Sequence, residues 1–341
     1  MQPRSLSRNL PTRTKVRTLF RSVNVTPVRR KPQRSSGSSQ KEDNKEDNKE
    51  YRINAKVVVL AASACESARI LLNSKSTYHE NGLGNSSNMV GKYLHDSTGA
   101  DRMAFIPDLM NRKTYNEDGM GNMHLYSPWW LDNKKLDFPR GYHIEIAGGL
   151  GAPMYGFGFD FNSLNKFFGV EVGGYGDRVR EEVKKYYGST IYFAGRGESV
   201  PDIDNYCEID PDTKDKYGIP VLRFNYKWSD YERKQAKHMN ETFEQIVHNI
   251  GGHMLWDNEG PNYGLKNPGE IIHEVGTTRM GSDPKTSVVN EFEQLHDAKN
   301  VFVVDGGPFV SQADKNPTWT ILALSWRTSE YIVEELKKQN I

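Results

Sequence analysis

One continuous apolar run constrains this chain more than any other feature. Lys56-Val57-Val58-Val59-Leu60-Ala61 shows no polar alternation, so it predicts a strand buried on both faces, as in a parallel sheet. The run breaks into the small residues Ala61, Ala62, Ser63 and Ala64, after which residues 66–73 read as a helix with Ile70, Leu71 and Leu72 inward. A strand, a tight turn of little side-chain bulk and a helix form the beginning of an open α/β sheet, and such sheets bind ligands beyond the carboxyl ends of their strands. A second run, Val301-Phe302-Val303-Val304-Asp305, is stopped by Gly306-Gly307-Pro308. A helix then opens at Asn316-Pro317-Thr318 and extends through Leu336. Asn316 suits the N-cap, Pro317 the first helical position, and Lys337 and Lys338 the negative end of the helix dipole. Trp319, Ile321, Leu322, Leu324 and Trp326 make its first turns apolar nearly all round, which predicts a buried helix.

Between these units the texture changes. Residues 103–106, 142–147, 190–194, 206–209 and 221–226 read as strands separated by turn-rich loops, the pattern of an antiparallel sheet. Asp215-Lys216-Tyr217-Gly218 closes the last two into a hairpin. A helix follows, opened by the capping-box pair Ser229 and Glu232, striped by Ala236, Met239, Phe243, Ile246 and Ile250, and ended by Gly251-Gly252. Ahead of Tyr51 the composition is unlike either part. Met1 to Arg34 holds ten Lys or Arg and no acid, and Ser35 to Ser39 and a Lys-Glu-Asp-Asn repeat follow. Such a stretch buries too little to offset its ordering entropy and reads as a largely disordered, basic and polar tail. The division expected is a tail over 1–50, an α/β segment over 51–100, an antiparallel domain over 101–264 and a returning α/β segment over 265–341.

Charge and cysteine content exclude several classes of function. Across 341 residues, 45 Lys plus Arg against 44 Asp plus Glu leave a net charge of +1, which supplies no field for gripping a nucleic acid. Two cysteines exclude a disulfide framework and a four-cysteine zinc site. No apolar run approaches the ~20 residues of a membrane span and no signal-type segment follows the basic start, so no transmembrane segment and, by default, a cytoplasmic location are expected.

Common nucleotide and hydrolase signatures, G-x-G-x-x-G, G-x-x-x-x-G-K-[ST] and G-x-S-x-G, are absent. His273-Glu274-Val275-Gly276-Thr277 begins like a zinc-protease helix but lacks the second His, so no metal is expected. His273 stands out among nine histidines because it lies between Ile271-Ile272 and the loop-forming run Gly276-Thr277-Thr278-Arg279-Met280-Gly281. An imidazole capping a turn would look the same. Asn316 is the second candidate, since a helix N-terminus projects partial positive charge toward whatever precedes it. Asp305 with Gly306 is the third: an acid at a strand end accepts hydrogen bonds from ligand hydroxyls, and glycines let a ligand come close.

Several blocks occur together in a known order: His273-Glu-Val-Gly-Thr-Thr-Arg-Met-Gly281, Asp283-Pro284, Ser287-Val-Val-Asn290, Asn300-Val-Phe-Val-Val-Asp-Gly306 and Asn316-Pro-Thr-Trp-Thr320. They resemble the C-terminal part of glucose-methanol-choline (GMC) oxidoreductases, and residues 57–76 and 82–94 resemble the family's strand and helix beside the flavin adenosine and the segment after it. Gly197-Glu198, Asp210-Pro211 and residues 215–220 are closer to the sugar-oxidising members. The resemblance implies an α/β plus α+β fold, a partial FAD-binding α/β domain with an inserted antiparallel-sheet substrate domain. It implies FAD as cofactor and oxidation of a CH–OH group in a small alcohol or sugar, with His273 as base and Asn316 as its partner. Ala61, Ala62, Ser63, Asp305, Gly306, Pro317, Thr318 and Thr320 would line the flavin. The electron acceptor is not specified by it.

The sequence departs from the family at Ser97, where the family often has His, and at Ala68 and Lys75. The family's glycine-rich phosphate loop is expected well ahead of Tyr51, and the fifty residues there carry no such motif. Only part of the flavin site is therefore expected here, and the alternative is a truncated family member that does not hold FAD or catalyse by itself.

Overall fold

The computed structural model describes residues 23–24, 52–111, 125–128, 135–148, 161–256 and 260–341. Apart from Val23–Asn24 (β1), which pairs antiparallel with Arg52–Ile53 (β2), the expected tail lies outside the described residues. The remainder is mixed helix and sheet, an α/β core joined to an antiparallel α+β body, as the resemblance implies.

The two apolar runs become strands and meet. Val58–Leu60 (β3) and Val301–Val303 (β11) pair in parallel, with Val58 opposite Val301. Helix α1, Ala64–Asn73, buries Ala68, Leu71 and Leu72 against this pair together with Val288, Val289 and Leu295. The expected burial holds on one side only. Val58 and Leu60 pack on the core, whereas Val59 points outward at 49% exposure and Ile70 of α1 faces solvent, because among the described residues nothing covers the other side of the pair. Helix α5, Thr318–Lys337, departs further from expectation: of its residues only Thr328 is buried, and Trp319 and Trp326 are 84% and 72% exposed. It is tethered along one edge, by Ser325 Oγ donating to Val304 O, by Thr328 Oγ1 donating to Glu293 Oε2, and by Tyr331 stacked on Phe292 at 4.1 Å. Its apolar face is left open, with Leu322 and Val333 exposed beside the two tryptophans.

The antiparallel body is built on a sheet of five strands, ordered β10-β4-β7-β6-β5: His253–Met254 (β10), Thr98–Phe105 (β4), Thr190–Gly197 (β7), Tyr142–Gly148 (β6) and Leu125–Pro128 (β5). Side chains alternate across a sheet, and here the two faces take different partners. Ala100, Ala104, Tyr142, Ile144 and Phe193 point to one face, where helix α4, Asp230–Asn249, lays Ala236, Met239 and Phe243. Gly195 makes this close approach possible, since a Cβ there would stand 2.6 Å from Met239 Sδ. The Ser229–Glu232 capping box forms as expected, while Ile250, the last residue of the expected stripe, is exposed beyond the helix end. Toward one end of the other face, Met103 and Phe105 are covered by α2, Phe161–Phe168, and by Tyr186 of α3, Asp177–Tyr186. The hairpin of Tyr206–Lys214 (β8) and Pro220–Asn225 (β9), which the sequence pattern places with the antiparallel sheet, forms a separate pair and packs Cys207 and Leu222 against α1. Its turn is tied by Asp215 Oδ1, which accepts from the N–H groups of Tyr217 and Ile219.

Phe243 is fully buried and stacked on Phe193 at 5.4 Å, so Phe243→Ala should lower unfolding free energy by about 3–5 kcal/mol, measured by denaturant titration.

Candidate active site

The block around His273 is held from both sides by backbone hydrogen bonds. On one side His95 and Val275 exchange both N–H···O bonds, at 3.0 and 2.9 Å, and Gly91 N donates to Thr277 O. On the other, the N–H groups of Gly276, Thr278 and Met280 donate in turn to the carbonyls of Gly306, Gly307 and Pro308. Residues 275–280 thus bridge the segment after α1 and the segment after β11. Gly276 sits at φ +98°, and a Cβ there would lie 2.2 Å from Tyr93 O. Only glycine fits that crossing.

Asp96 then aims the histidine. Its Oδ1 accepts from the N–H of Ser97 at 2.7 Å and of His273 at 3.0 Å, and its Oδ2 from Gly269 N at 3.2 Å. Burial, aided by repulsion from Glu274 and opposed by these three bonds, raises its carboxyl to about 6. The bracing matters because Ile272, just before the histidine, is held at φ +60°, a region that costs a β-branched residue strain.

The His273 ring is half-buried between two polar side chains. Asn316 Nδ2 donates to Nε2 at 3.2 Å, and Ser97 Oγ lies 3.4 Å from Nδ1. Ser97 Oγ is itself the acceptor for Gln312 Nε2 at 2.9 Å. An amide donor on Nε2 requires a lone pair there, which leaves the ring proton on Nδ1, facing Ser97. Burial lowers the imidazole below its ordinary value, and Arg196 pushes in the same direction, so the ring is neutral near pH ~7. Asn316 therefore does not cap α5 as its propensity suggests. Pro317 takes the cap position, no side chain closes that helix end, and the carboxamide is spent on the histidine.

Beneath His273 lies the polar end of the sheet face opposite α4. The register puts His143 of β6 opposite Arg196 of β7, and Gly99 of β4 opposite Arg196 on its other side. Arg196 donates to Asp101 Oδ1 at 2.7 Å, and Glu145 and Tyr126 extend the row across β6 and β5. Glu145, His143 and Arg196 are near enough to bias the protonation of His273.

The candidate flavin residues separate into two groups. Ala61, Ala62 and Ser63 are exposed at the open N-terminus of α1, which has no side-chain cap, with Ser63 at φ +82°. Thr318 and Thr320 are exposed at the open N-terminus of α5 beside the half-buried Pro317. Asp305 and Gly306 are buried. Asp305 accepts from Ser67 Oγ at 2.5 Å and from Gly307 N at 2.8 Å, which ties the turn after β11 to α1. Burial raises its carboxyl, against those bonds. A Cβ on Gly306 would meet Val275 Cγ1 at 3.0 Å, so the glycine makes room for the chain's own His273 segment. Asp96, Gln312, His143, Glu145 and Asp314 are site residues that sequence reasoning missed. The alternation Tyr142-His143-Ile144-Glu145-Ile146, polar on one face only, was the available signal for two of them. Among the described residues no cluster of His, Cys, Asp and Glu suits a metal ion, and no helix is long and apolar enough to cross a membrane.

Residues 201–325 match the family model described as GMC oxidoreductase. The chain is similar to 2-methyl-1,2-propanediol dehydrogenase of Mycolicibacterium austroafricanum, with 31% identity over 83% of this chain and 48% of that protein. It is also similar to the fructose dehydrogenase large subunit of Gluconobacter japonicus, with 26% identity over 84% of this chain and 49% of that protein. Among solved structures it superposes on Aspergillus oryzae formate oxidase, a structure concerned with FAD modification, with TM-score 0.57 and 13% identity over 85% of this chain and 56% of that one; this likeness concerns the fold. The chain spans about half the length of the curated relatives it matches.

Gly276→Ala adds a methyl against Tyr93 O at a positive φ and should destabilise the protein by ~2 kcal/mol or more, read as a lowered Tm.

Proposed function

The chain belongs to the GMC oxidoreductase family through its C-terminal portion, and on that premise we propose that it supplies the reacting pair of an FAD-dependent oxidoreductase acting on the CH–OH group of an alcohol or sugar. One observation carries the reading: His273 Nε2 and Asn316 Nδ2 stand 3.2 Å apart although 43 positions separate them in the chain. Two nitrogens at that spacing can both lie about 2.8–3.0 Å from one substrate oxygen.

The bare Nε2 takes the hydroxyl proton, and the Asn316 amide donates to the oxygen as negative charge develops on it. A neutral imidazole of lowered pKa is the form able to accept that proton. FAD, when bound, accepts the hydride from the alcohol carbon. The residues fit the group: Ala61, Ala62 and Ser63 offer an exposed turn without bulk, its Ala62 and Ser63 N–H groups bound to the Asp305 carboxylate, and the uncapped start of α5 presents N–H groups to an anionic ligand. Gln312 adds a buried amide oxygen without a partner among the described residues, beside Ser97. Asp305 serves by tying the turn after β11 to α1. The charged row of Glu145, His143 and Arg196 favours a substrate rich in hydroxyls over an apolar alcohol, because an apolar group there would desolvate charges without replacing their hydrogen bonds.

A second reading is favoured by the open face of α5 and β3, with Trp319, Trp326 and Val59 exposed: the flavin site is completed only when further protein covers that face, and this chain alone does not retain FAD. Absorbance of the chain mixed with FAD separates the two. Retention of the yellow colour through gel filtration supports the first, and loss of colour the second.

Once flavin is bound, with or without added protein, substrate-driven bleaching should be slowed about 10²–10⁴-fold by His273→Ala, and an unchanged rate would refute the assignment. For the unsubstituted chain the bleaching rate should stay constant as pH falls through about 6.5 and decline only below it, because the base must be unprotonated and its pKa is depressed.

A further inference from the structure

Beside the reacting pair lies a cluster of ionisable groups with no part in the proton transfer. His143, on the site-facing side of β6, is fully buried, and each ring nitrogen meets a carboxylate: Nε2 is 3.1 Å from Glu145 Oε1 and Nδ1 is 3.1 Å from Asp314 Oδ2. Glu145 is on the same strand, whereas Asp314 belongs to the loop that delivers Asn316. A neutral imidazole has one N–H and would turn a lone pair on one of these acceptors. Only the imidazolium donates to both. Burial opposes that charge, but the bonds to Asp314 and then Glu145 outweigh it and raise the imidazole above its ordinary value. Asp314 is held below its ordinary value despite its own burial, first by His143 and then by Lys315. The other groups facing the ring are Tyr126, stacked on it at 5.3 Å; Lys315, 2.8 Å from the same Asp314 oxygen; Arg196, opposite in register and paired with Asp101; and His273, whose own proton affinity a charged His143 lowers.

We propose that His143 is a positioning residue, a doubly bonded imidazolium that pins the Asp314 loop to β6 and so holds the Asn316 carboxamide against His273. The inference rests on reading His273 and Asn316 as the reacting pair. Two residues of fully extended chain span at most ~7 Å, so fixing Asp314 confines Asn316. That confinement matters because the start of α5 has no side-chain cap to fix it. The linkage has a definite sign. With its folded pKa raised, His143 contributes the clamp fully below its ordinary value of about 6.5 and loses it as pH rises through the higher folded value.

Nitrogen-15 spectra of the histidine rings and side-chain amides of the intact chain, recorded from about pH 5 to about pH 9, test this without flavin or turnover. His143 should keep both ring protons at pH values where His273 has only one. Asp314→Asn and His143→Phe should each move the Asn316 amide signal and the His273 Nε2 signal toward their unbonded positions, with cooperative unfolding retained. If His143→Phe does not fold, Asp314→Asn decides, since it keeps the shape of the side chain. Loss of the His143 proton at an ordinary pKa of about 6.5, or unmoved Asn316 and His273 signals in a folded variant, would overturn the proposal. A wrong assignment of His273 as base would instead appear only in the bleaching rate.

Discussion

The site depends on the backbone seam that carries residues 275–280 between the segment before β4 and the turn after β11. Its donors and acceptors are main-chain groups in a buried crossing, where an unmade hydrogen bond costs more than a made one contributes. The seam therefore sets one register, and Gly276 is where a side chain would collide with the neighbouring backbone at Tyr93 O. Ser67 and Asp305 fasten the same crossing to α1, and Asp96 converts the register into an orientation by catching the His273 N–H. With the backbone fixed in this way, the imidazole has little freedom left, and a loop from far along the chain can meet it with one carboxamide.

The antiparallel sheet explains how a polar floor and an apolar core coexist in one layer. Residues of one parity on β4, β6 and β7 go to α4, and those of the other parity go to the site or, toward one end, to α2 and α3. A single strand such as β6 is therefore read twice, Tyr142 and Ile144 for packing and His143 and Glu145 for the site. Charges on that floor are tolerated because they are paired: Arg196 with Asp101, and His143 with two carboxylates.

Much of this is legible in the sequence where one local force dominates. The apolar runs of β3 and β11, the capping box of α4 and the turn at Asp215 each follow from neighbouring residues alone. What sequence reasoning missed was settled by distant contacts. The composition of α5 predicts burial, yet the described structure gives that helix one edge to rest on, so Trp319 and Trp326 stay outside. Asn316 has the propensity of a cap, and a partner 43 positions away took it instead. The short helices α2 and α3 carry too little apolar periodicity to stand out, although Val179, Val183 and Tyr186 of α3 have the right spacing. The family resemblance singles out His273 and Asn316, and the fold brings their side chains within 3.2 Å; the polar groups around them, Asp96, Gln312 and Asp314, are ordinary residues until the fold brings them close.

On this reading, His273 and Asn316 close on a single substrate oxygen. A crystal structure of the protein with a bound, unreacted alcohol measures this directly. One hydroxyl is expected within hydrogen-bonding distance of both His273 Nε2 and Asn316 Nδ2. A hydroxyl bound elsewhere, with the two nitrogens too far apart to share it, would refute their joint role.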